Sequence, residues 1–177
     1  MAGFPYHAID TYLPKLVRAG YKVAVCDQLE DPKLAGNKLV KRGVTELVTP
    51  GVALREDMLE QKENNFLAGV AFEKNICGAA FLDVTTGTFR LAQGSVEYIS
   101  TLIASFNPRE IVVNKGTEKA VRDFFGDNIY ISSLDEWAFV YDSAVERLKK
   151  QFNVESLKGY AVDSSPVGIC SAGALMV

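Results

Sequence analysis

The 177-residue sequence contains few of the residues on which metal binding and disulfide formation depend. It has one histidine, His7, and three cysteines, Cys26, Cys77 and Cys170. A single histidine excludes a histidine cluster, and the cysteines lack the Cys-x-x-Cys spacing that holds zinc. Because their odd number does not fit a disulfide framework, we expect reduced thiols and a cytoplasmic protein.

The sequence also lacks long apolar runs and an excess of basic residues. No segment approaches the ~20 apolar residues of a membrane-spanning helix, so we expect no membrane association. The chain has 19 Lys and Arg against 22 Asp and Glu, a formal net charge of −3. No global positive field therefore attracts nucleic acid. Hydrophobic residues make up 48% of the chain, which is typical of a folded protein with a sizeable core.

Charge and turn signals divide the chain near residue 50. Residues 1–50 hold seven basic and five acidic residues, a net charge of +2, whereas residues 51–177 hold 12 and 17, a net charge of −5. The division falls at Thr49-Pro50-Gly51, a strong turn signal. We predict a first domain over residues 1–50, a linker over 51–65 and a second domain over 66–160. The apolar, uncapped C-terminal end favours a fragment of a longer protein.

The first segment has the pattern of a small, incomplete α+β domain. Apolar residues at helical spacing predict a helix from Ile9 to Val17, ending at Gly20. Pro14 predicts either a kink in this helix or a new helix start near Leu13. Two short strands are expected, over residues 22–26 and 44–48. So few elements cannot bury a complete core.

Three strand-like runs followed by alternating helices and strands characterise the second segment. The predicted strands cover residues 66–72, 76–84, 88–92, 111–113 and 129–131, and the predicted helices follow caps at Ser95 and Thr117 and span residues 141–152. This order predicts an α/β fold with a mixed five-stranded sheet and flanking helices. Such an arrangement is typical of ribonuclease H-like domains.

A ribonuclease H-like fold raises the alternative of a metal-dependent nuclease, which needs clustered carboxylates to hold Mg²⁺. The first predicted strand has no acidic residue between Phe66 and Phe72. Asp83 ends the second strand beside a turn, where we expect it to accept hydrogen bonds from the backbone of residues 84–87. The sequence has no Walker A loop and no G-x-G-x-x-G fingerprint. We therefore predict no catalytic residue, metal ligand or cofactor in this chain, with a nuclease or an inert structural spacer as alternatives.

Several strings, in this order, resemble the MutS family of DNA mismatch repair proteins. They include Met1-Ala-Gly-Phe-Pro-Tyr-His7, Val23-Ala-Val-Cys-Asp-Gln28, Phe81-Leu-Asp-Val-Thr-Thr-Gly-Thr-Phe89 and Leu157-Lys-Gly-Tyr160. The resemblance covers essentially the whole chain. It implies that residues 1–50 are the C-terminal part of a mismatch-recognition domain and that residues 66–160 are a ribonuclease H-like connector domain. Residues 161–177 would then begin a helix of the core or lever region.

The same resemblance implies a function and two interaction surfaces. The full-length protein would be a homodimer that recognises mismatched double-stranded DNA with ATP and Mg²⁺ and docks the partner protein MutL, whereas this chain would couple these activities without catalysis. Six residues would face the DNA backbone: Tyr6, His7, Lys15, Lys38, Lys41 and Arg42. Four residues on the last predicted helix would bind MutL: Asp142, Glu146, Arg147 and Lys150. The alternative for Glu146 and Lys150 is a simple ion pair on the helix surface.

Overall fold

A computed structural model describes residues 6–30, 40–51, 65–127 and 129–177. The chain divides into two compact units, Met1–Gln61 and Lys62–Val177. Among the described residues, no helix is both long and apolar enough to cross a membrane.

In the first unit, one helix packs on a two-stranded sheet. A 3-10 turn, Tyr6–Ala8, leads into α1 (Ile9–Arg18), which is followed by β1 (Val23–Gln28) and β2 (Arg42–Val48). The strands are antiparallel, and their register shifts at a bulge in β2. Leu13 and Val17, one helical turn apart, are buried with Val48.

Two features of α1 bear on the predicted helix. The helix continues through Pro14, so the predicted new start near Leu13 does not occur. Gly20 has a positive φ of 82°, and its N–H bonds to the carbonyl of Val17. A left-handed residue at this position ends a helix, as the sequence predicts.

The second unit is built on a mixed sheet whose strand order is β5-β4-β3-β6-β7. Its strands are β3 (Phe66–Glu73), β4 (Ile76–Asp83), β5 (Thr88–Gly94), β6 (Glu110–Asn114) and β7 (Tyr130–Leu134). Strands β3, β4 and β5 form an antiparallel meander, and β6 and β7 run parallel to β3. The predicted α/β fold with a five-stranded mixed sheet is thereby confirmed.

Helices cover both faces of this sheet. They are α2 (Val96–Phe106), α3 (Glu118–Phe125), α4 (Tyr141–Phe152) and α5 (Pro166–Ala174), with 3-10 turns at Glu136–Phe139 and Leu157–Tyr160. One core lies between the sheet and α2 and α3, around Phe81 and Ile99. The other lies under α4 and α5, around Leu148 and Ile169. Because side chains alternate across a strand, burial of both faces explains why β3 reads as a continuous apolar run.

Of the two predicted helix caps, Ser95 forms its cap and Thr117 does not. Ser95 Oγ accepts the N–H of Tyr98 at 3.3 Å, which confirms the cap of α2. Thr117 stands at the start of α3, but its hydroxyl donates to the Asn114 carbonyl at 2.6 Å and caps no helical N–H. Instead, the carboxylate of Glu118 accepts the N–H of Gly116 at 2.7 Å.

Helix α5 lies against the sheet at glycine positions. A Cβ on Gly78 of β4 would stand 2.4 Å from the carbonyl carbon of Val167, and one on Gly173 would stand 2.3 Å from Ala144 Cβ of α4. Ser171 Oγ donates within this contact, 2.9 Å from the Gly78 carbonyl oxygen. Residues 161–177, predicted to begin a core or lever region, therefore pack in this chain as part of the second unit. Their place in a longer protein stays a prediction.

Candidate functional site

The residues predicted to face DNA lie at two places in the first unit. His7 and Lys15 are exposed at the start and the middle of the α1 segment, and Lys41 and Arg42 are exposed where β2 begins. The Lys15 ammonium lies 5.5 Å from the centre of the Tyr12 ring, a cation–π distance. Tyr6 opens the 3-10 turn. Its side chain and the whole of Lys38 lie outside the described residues.

An acidic residue accompanies the basic pair at β2. Glu30 Oε1 accepts the backbone N–H of Lys41 at 2.6 Å, and the N–H of Leu29 bonds to the Lys41 carbonyl at 2.9 Å. These bonds fix the backbone that carries Lys41 and Arg42. They also bring a carboxylate beside the predicted phosphate-binding residues, which weakens the local positive potential.

Three of the four predicted partner-binding residues share the exposed side of α4. Asp142, Glu146 and Lys150 are exposed, whereas Ala144 and Leu148 on the same helix are buried. Glu146 pairs with Lys149 at 3.1 Å, so the alternative of an ion pair between Glu146 and Lys150 is wrong. Because the Glu146 side chain is 74% exposed, this pair contributes only tenths of a kcal/mol. The charges thus form a solvated surface.

Arg147 has a different position from its neighbours. Its Nε donates to the Gly173 carbonyl at 2.9 Å, and an Nη donates to the Ala138 carbonyl. The guanidinium carbon lies 5.7 Å from the centre of the Trp137 ring. Arg147 therefore ties α4 to the preceding 3-10 turn and to the end of α5. No sequence pattern predicts the bond to Gly173, because that residue lies 26 positions farther along the chain.

Exposed apolar side chains at the start of α4 are a feature that the sequence reasoning missed. Trp137 is 56% exposed, Val140 46% and Tyr141 43%. We call these three residues the Trp137 patch. Helical spacing groups Tyr141 with the buried Ala144 and Leu148, so periodicity alone places it in the core. In the sequence, the only indication of this exposed group is a tryptophan and a tyrosine four positions apart, Trp137 and Tyr141.

The buried carboxylates of the second unit bind their own neighbours. Asp83 accepts the N–H of Thr85 at 3.0 Å, its hydroxyl at 2.6 Å and the N–H of Thr86 at 3.4 Å, so its predicted local role is confirmed. Burial raises the pKa of Asp83, but the hydrogen bonds from Thr85 and Thr86 outweigh it and leave that pKa below its ordinary value. Glu110, also buried, accepts the Ser132 hydroxyl at 2.6 Å.

The sheet keeps these two carboxylates apart. In the register of the sheet, Asp83 of β4 lies opposite Phe66 of β3, and Glu110 of β6 lies opposite Leu67 of β3. Since adjacent residues of β3 point to opposite faces, the two side chains point to opposite faces as well. Within the described ranges, no three His, Cys, Asp or Glu side chains form a group that could hold a metal ion.

A cavity of about 400 Å³ opens between β5, α4, α5 and the turn at Leu157–Tyr160. Phe89, Leu148, Phe152 and Tyr160 contribute to its lining, which has no charged residue. Such a space accepts an apolar group. With no charged side chain in its lining, it has no carboxylate, amine or imidazole to act on a substrate.

Family models account for both units. MutS domain I matches residues 1–57, and MutS domain II matches residues 65–176.

The chain belongs to the MutS family.

Relatives agree with this assignment over almost the full chain. The DNA mismatch repair protein MutS of Parabacteroides distasonis is 52% identical over 176 residues, which is 99% of this chain and 20% of that protein. The MutS proteins of Bacteroides thetaiotaomicron and Flavobacterium johnsoniae are 51% and 52% identical with the same coverage. The chain thus spans about one fifth of the length of these MutS relatives.

A solved structure of Fowlpox virus resolvase with substrate Holliday junction DNA matches with a TM-score of 0.42 and 9% identity. It covers 60% of this chain and 91% of that chain. A match this weak supports no conclusion about this chain.

Proposed function

We propose that this chain is the part of a MutS protein that joins a DNA-contacting unit to a connector. The observation that carries the proposal is the agreement between the family models and the structure. The match to MutS domain I ends at residue 57 and the match to domain II begins at residue 65, and the division of the chain into its two compact units falls between Gln61 and Lys62. Each unit therefore corresponds to one MutS domain.

The first unit contributes contacts to the backbone of mismatched double-stranded DNA. Four exposed basic side chains support this role, His7, Lys15, Lys41 and Arg42. Tyr6 and Lys38 belong to the same proposal. Contacts to phosphates fix the position of a protein on the duplex without reading its sequence. They also weaken as salt concentration rises.

The second unit is a ribonuclease H-like connector without nuclease activity. The order of three antiparallel strands followed by parallel strands and helices supports the fold. Asp83 and Glu110 point to opposite faces and bind their own neighbours, which favours a connector over a nuclease. The exposed charges of α4, Asp142, Glu146 and Lys150, are the surface that docks MutL.

The remaining activities belong to the rest of the protein. ATP with Mg²⁺ does not fit this chain, because its sequence contains no Walker A loop whose backbone amides could hold the phosphates. We therefore assign ATP hydrolysis to other parts of the full-length protein. In line with the family resemblance, we assign homodimer formation and the reading of the mismatched base to those parts as well. Reduced cysteines favour the cytoplasm as the place where the protein works.

Calorimetric titration of the chain with purified MutL tests the docking proposal. We expect saturable binding that weakens at least about fivefold when Glu146→Lys and Lys150→Glu are combined, because rim charges steer partners. Lys119→Glu with Asp123→Lys, an exposed pair at the same spacing on α3, is the matched control and should bind as the unchanged chain does. Arg147 is unsuitable for charge reversal, because its loss would break bonds to the Ala138 and Gly173 carbonyls.

Two results would contradict the proposal. The absence of MutL binding by the correctly folded chain would refute docking by this part of MutS. Cleavage of duplex DNA that requires Mg²⁺ and is lost in an Asp83→Asn variant would favour the nuclease alternative instead.

A further inference from the structure

Among the residues of the second unit that the structure describes, the Trp137 patch is the densest run of exposed large apolar side chains along the chain. Trp137, Val140 and Tyr141 lie within five residues, and each is more than 40% exposed. Tryptophan, tyrosine and arginine dominate the binding energy of many protein interfaces. The patch therefore has the composition of an interface centre and not that of an ordinary solvated helix start.

Trp137 is also held in place. The Arg147 guanidinium lies 5.7 Å from the centre of its ring, and this guanidinium donates to two backbone carbonyls, those of Ala138 and Gly173. An arginine fixed by two carbonyls provides a rigid support for the ring through a cation–π contact. A side chain that is ordered before binding loses less entropy when a partner covers it.

The charges around the patch indicate the chemistry of its partner. Asp135 and Glu136 precede Trp137, and Asp142 follows Tyr141; all three are exposed. Asp135 pairs with Lys115 at 3.6 Å, whereas the structure gives Glu136 and Asp142 no cationic partner among the described residues. An aromatic centre with an acidic rim is complementary to a segment that carries apolar side chains beside lysine or arginine.

We propose that the Trp137 patch is the anchor of the docking surface and that its occupant is a basic, apolar segment of the docked protein. This inference rests on the proposed function. It moves the centre of the interface from the solvated charges of α4 to Trp137, with Glu136 and Asp142 as the acidic rim. Arg147 is a positioning residue that acts through Trp137.

Calorimetric titration with purified MutL tests the anchor with four variants of the full 177-residue chain. Trp137→Ala should weaken binding at least about tenfold, as truncation of an anchor does, whereas Trp137→Phe keeps an aromatic ring and should stay within about threefold. Glu136→Lys combined with Asp142→Lys should weaken binding and reduce its salt dependence. Tyr98→Ala, which removes a 51% exposed tyrosine from α2, is the matched control and should leave binding unchanged. Circular dichroism verifies that each variant is folded.

The outcomes separate this inference from the proposed function. Loss of binding in Trp137→Ala with retention in Trp137→Phe and Tyr98→Ala supports the anchor. If Trp137→Ala binds like the unchanged chain while the variant combining Glu146→Lys and Lys150→Glu loses binding, the anchor is wrong and the docking proposal stands. Sedimentation that shows the patch joining two copies of this chain would overturn the choice of occupant. An unchanged chain that binds no MutL would overturn both proposals.

Discussion

Replacement of Gly78 by alanine tests the contact that joins α5 to the sheet. The added Cβ would stand 2.4 Å from the carbonyl carbon of Val167 and 2.5 Å from the nitrogen of Gly168. Both are backbone atoms of α5, so no side-chain rotation relieves the overlap. The helix must move away from β4. Such a movement strains the bond from Ser171 Oγ to the Gly78 carbonyl and the bond from the Val167 N–H to Gln93 Oε1, 2.8 Å long.

These effects set the expected loss of stability. Overpacking of a core costs about 1–3 kcal/mol, and a weakened buried hydrogen bond adds about 1 kcal/mol. Alanine restricts the unfolded chain more than glycine does, which returns about 0.5–1 kcal/mol. The free energy of unfolding of the Gly78→Ala variant should therefore be about 1–3.5 kcal/mol lower than that of the unchanged chain.

Urea unfolding followed by tryptophan emission measures this loss. Trp137 is the only tryptophan, so the transition reports on the second unit alone. Gly159→Ala is the matched control, because nothing lies within 4 Å of a Cβ at that position, and its free energy of unfolding should change by less than about 0.5 kcal/mol. A Gly78→Ala midpoint equal to that of the control would refute the tight helix–sheet contact.

Two further predictions concern buried titratable groups. Because hydrogen bonds from Thr85 and Thr86 outweigh burial and hold the Asp83 pKa below its unfolded value of about 4, this carboxylate stabilises the fold above that pH, and the contribution is lost as pH falls through the lower folded pKa. Between pH 7 and pH 3, the urea midpoint of unfolding should fall less for the Asp83→Asn variant than for the unchanged chain. An equal fall in the two proteins would contradict this role of Asp83. Burial raises the pKa of the Cys77 thiol to about 12, so at pH 8 a thiol reagent should modify exposed Cys26 at once and Cys77 only after denaturant is added. A Cys77→Ala variant that loses a fast-reacting thiol would contradict this expectation.

Local sequence determined most of the secondary structure of the second unit. The apolar runs that become β3 and β4 and the turn signals between them specify a hairpin, because strand period and turn chemistry act over a few residues. Ser95 caps α2 as predicted, and Asn107 ends it in the left-handed conformation with φ 46°. Here the interaction partners lie within four positions along the chain, so the sequence alone shows them.

The sequence also sufficed for the family and for the local role of Asp83. The strings that resemble MutS span both units, and the family models match both. The Asp83 carboxylate accepts hydrogen bonds from the backbone N–H groups of Thr85 and Thr86. These donors lie two and three residues farther along the chain, which is a short-range turn pattern.

Only the tertiary structure decided which side chains can meet a partner. Arg147 sits on α4 among exposed charges, but its bonds to Ala138 and Gly173 make it a structural tie. Tyr141 is exposed although helical spacing groups it with the buried Ala144 and Leu148, and Trp137 is exposed beside it in the chain. Gly78 must be a glycine because α5, almost 90 residues farther along, packs against it. Each of these facts depends on contacts between elements distant in sequence, and short-range periodicity carries no information about them.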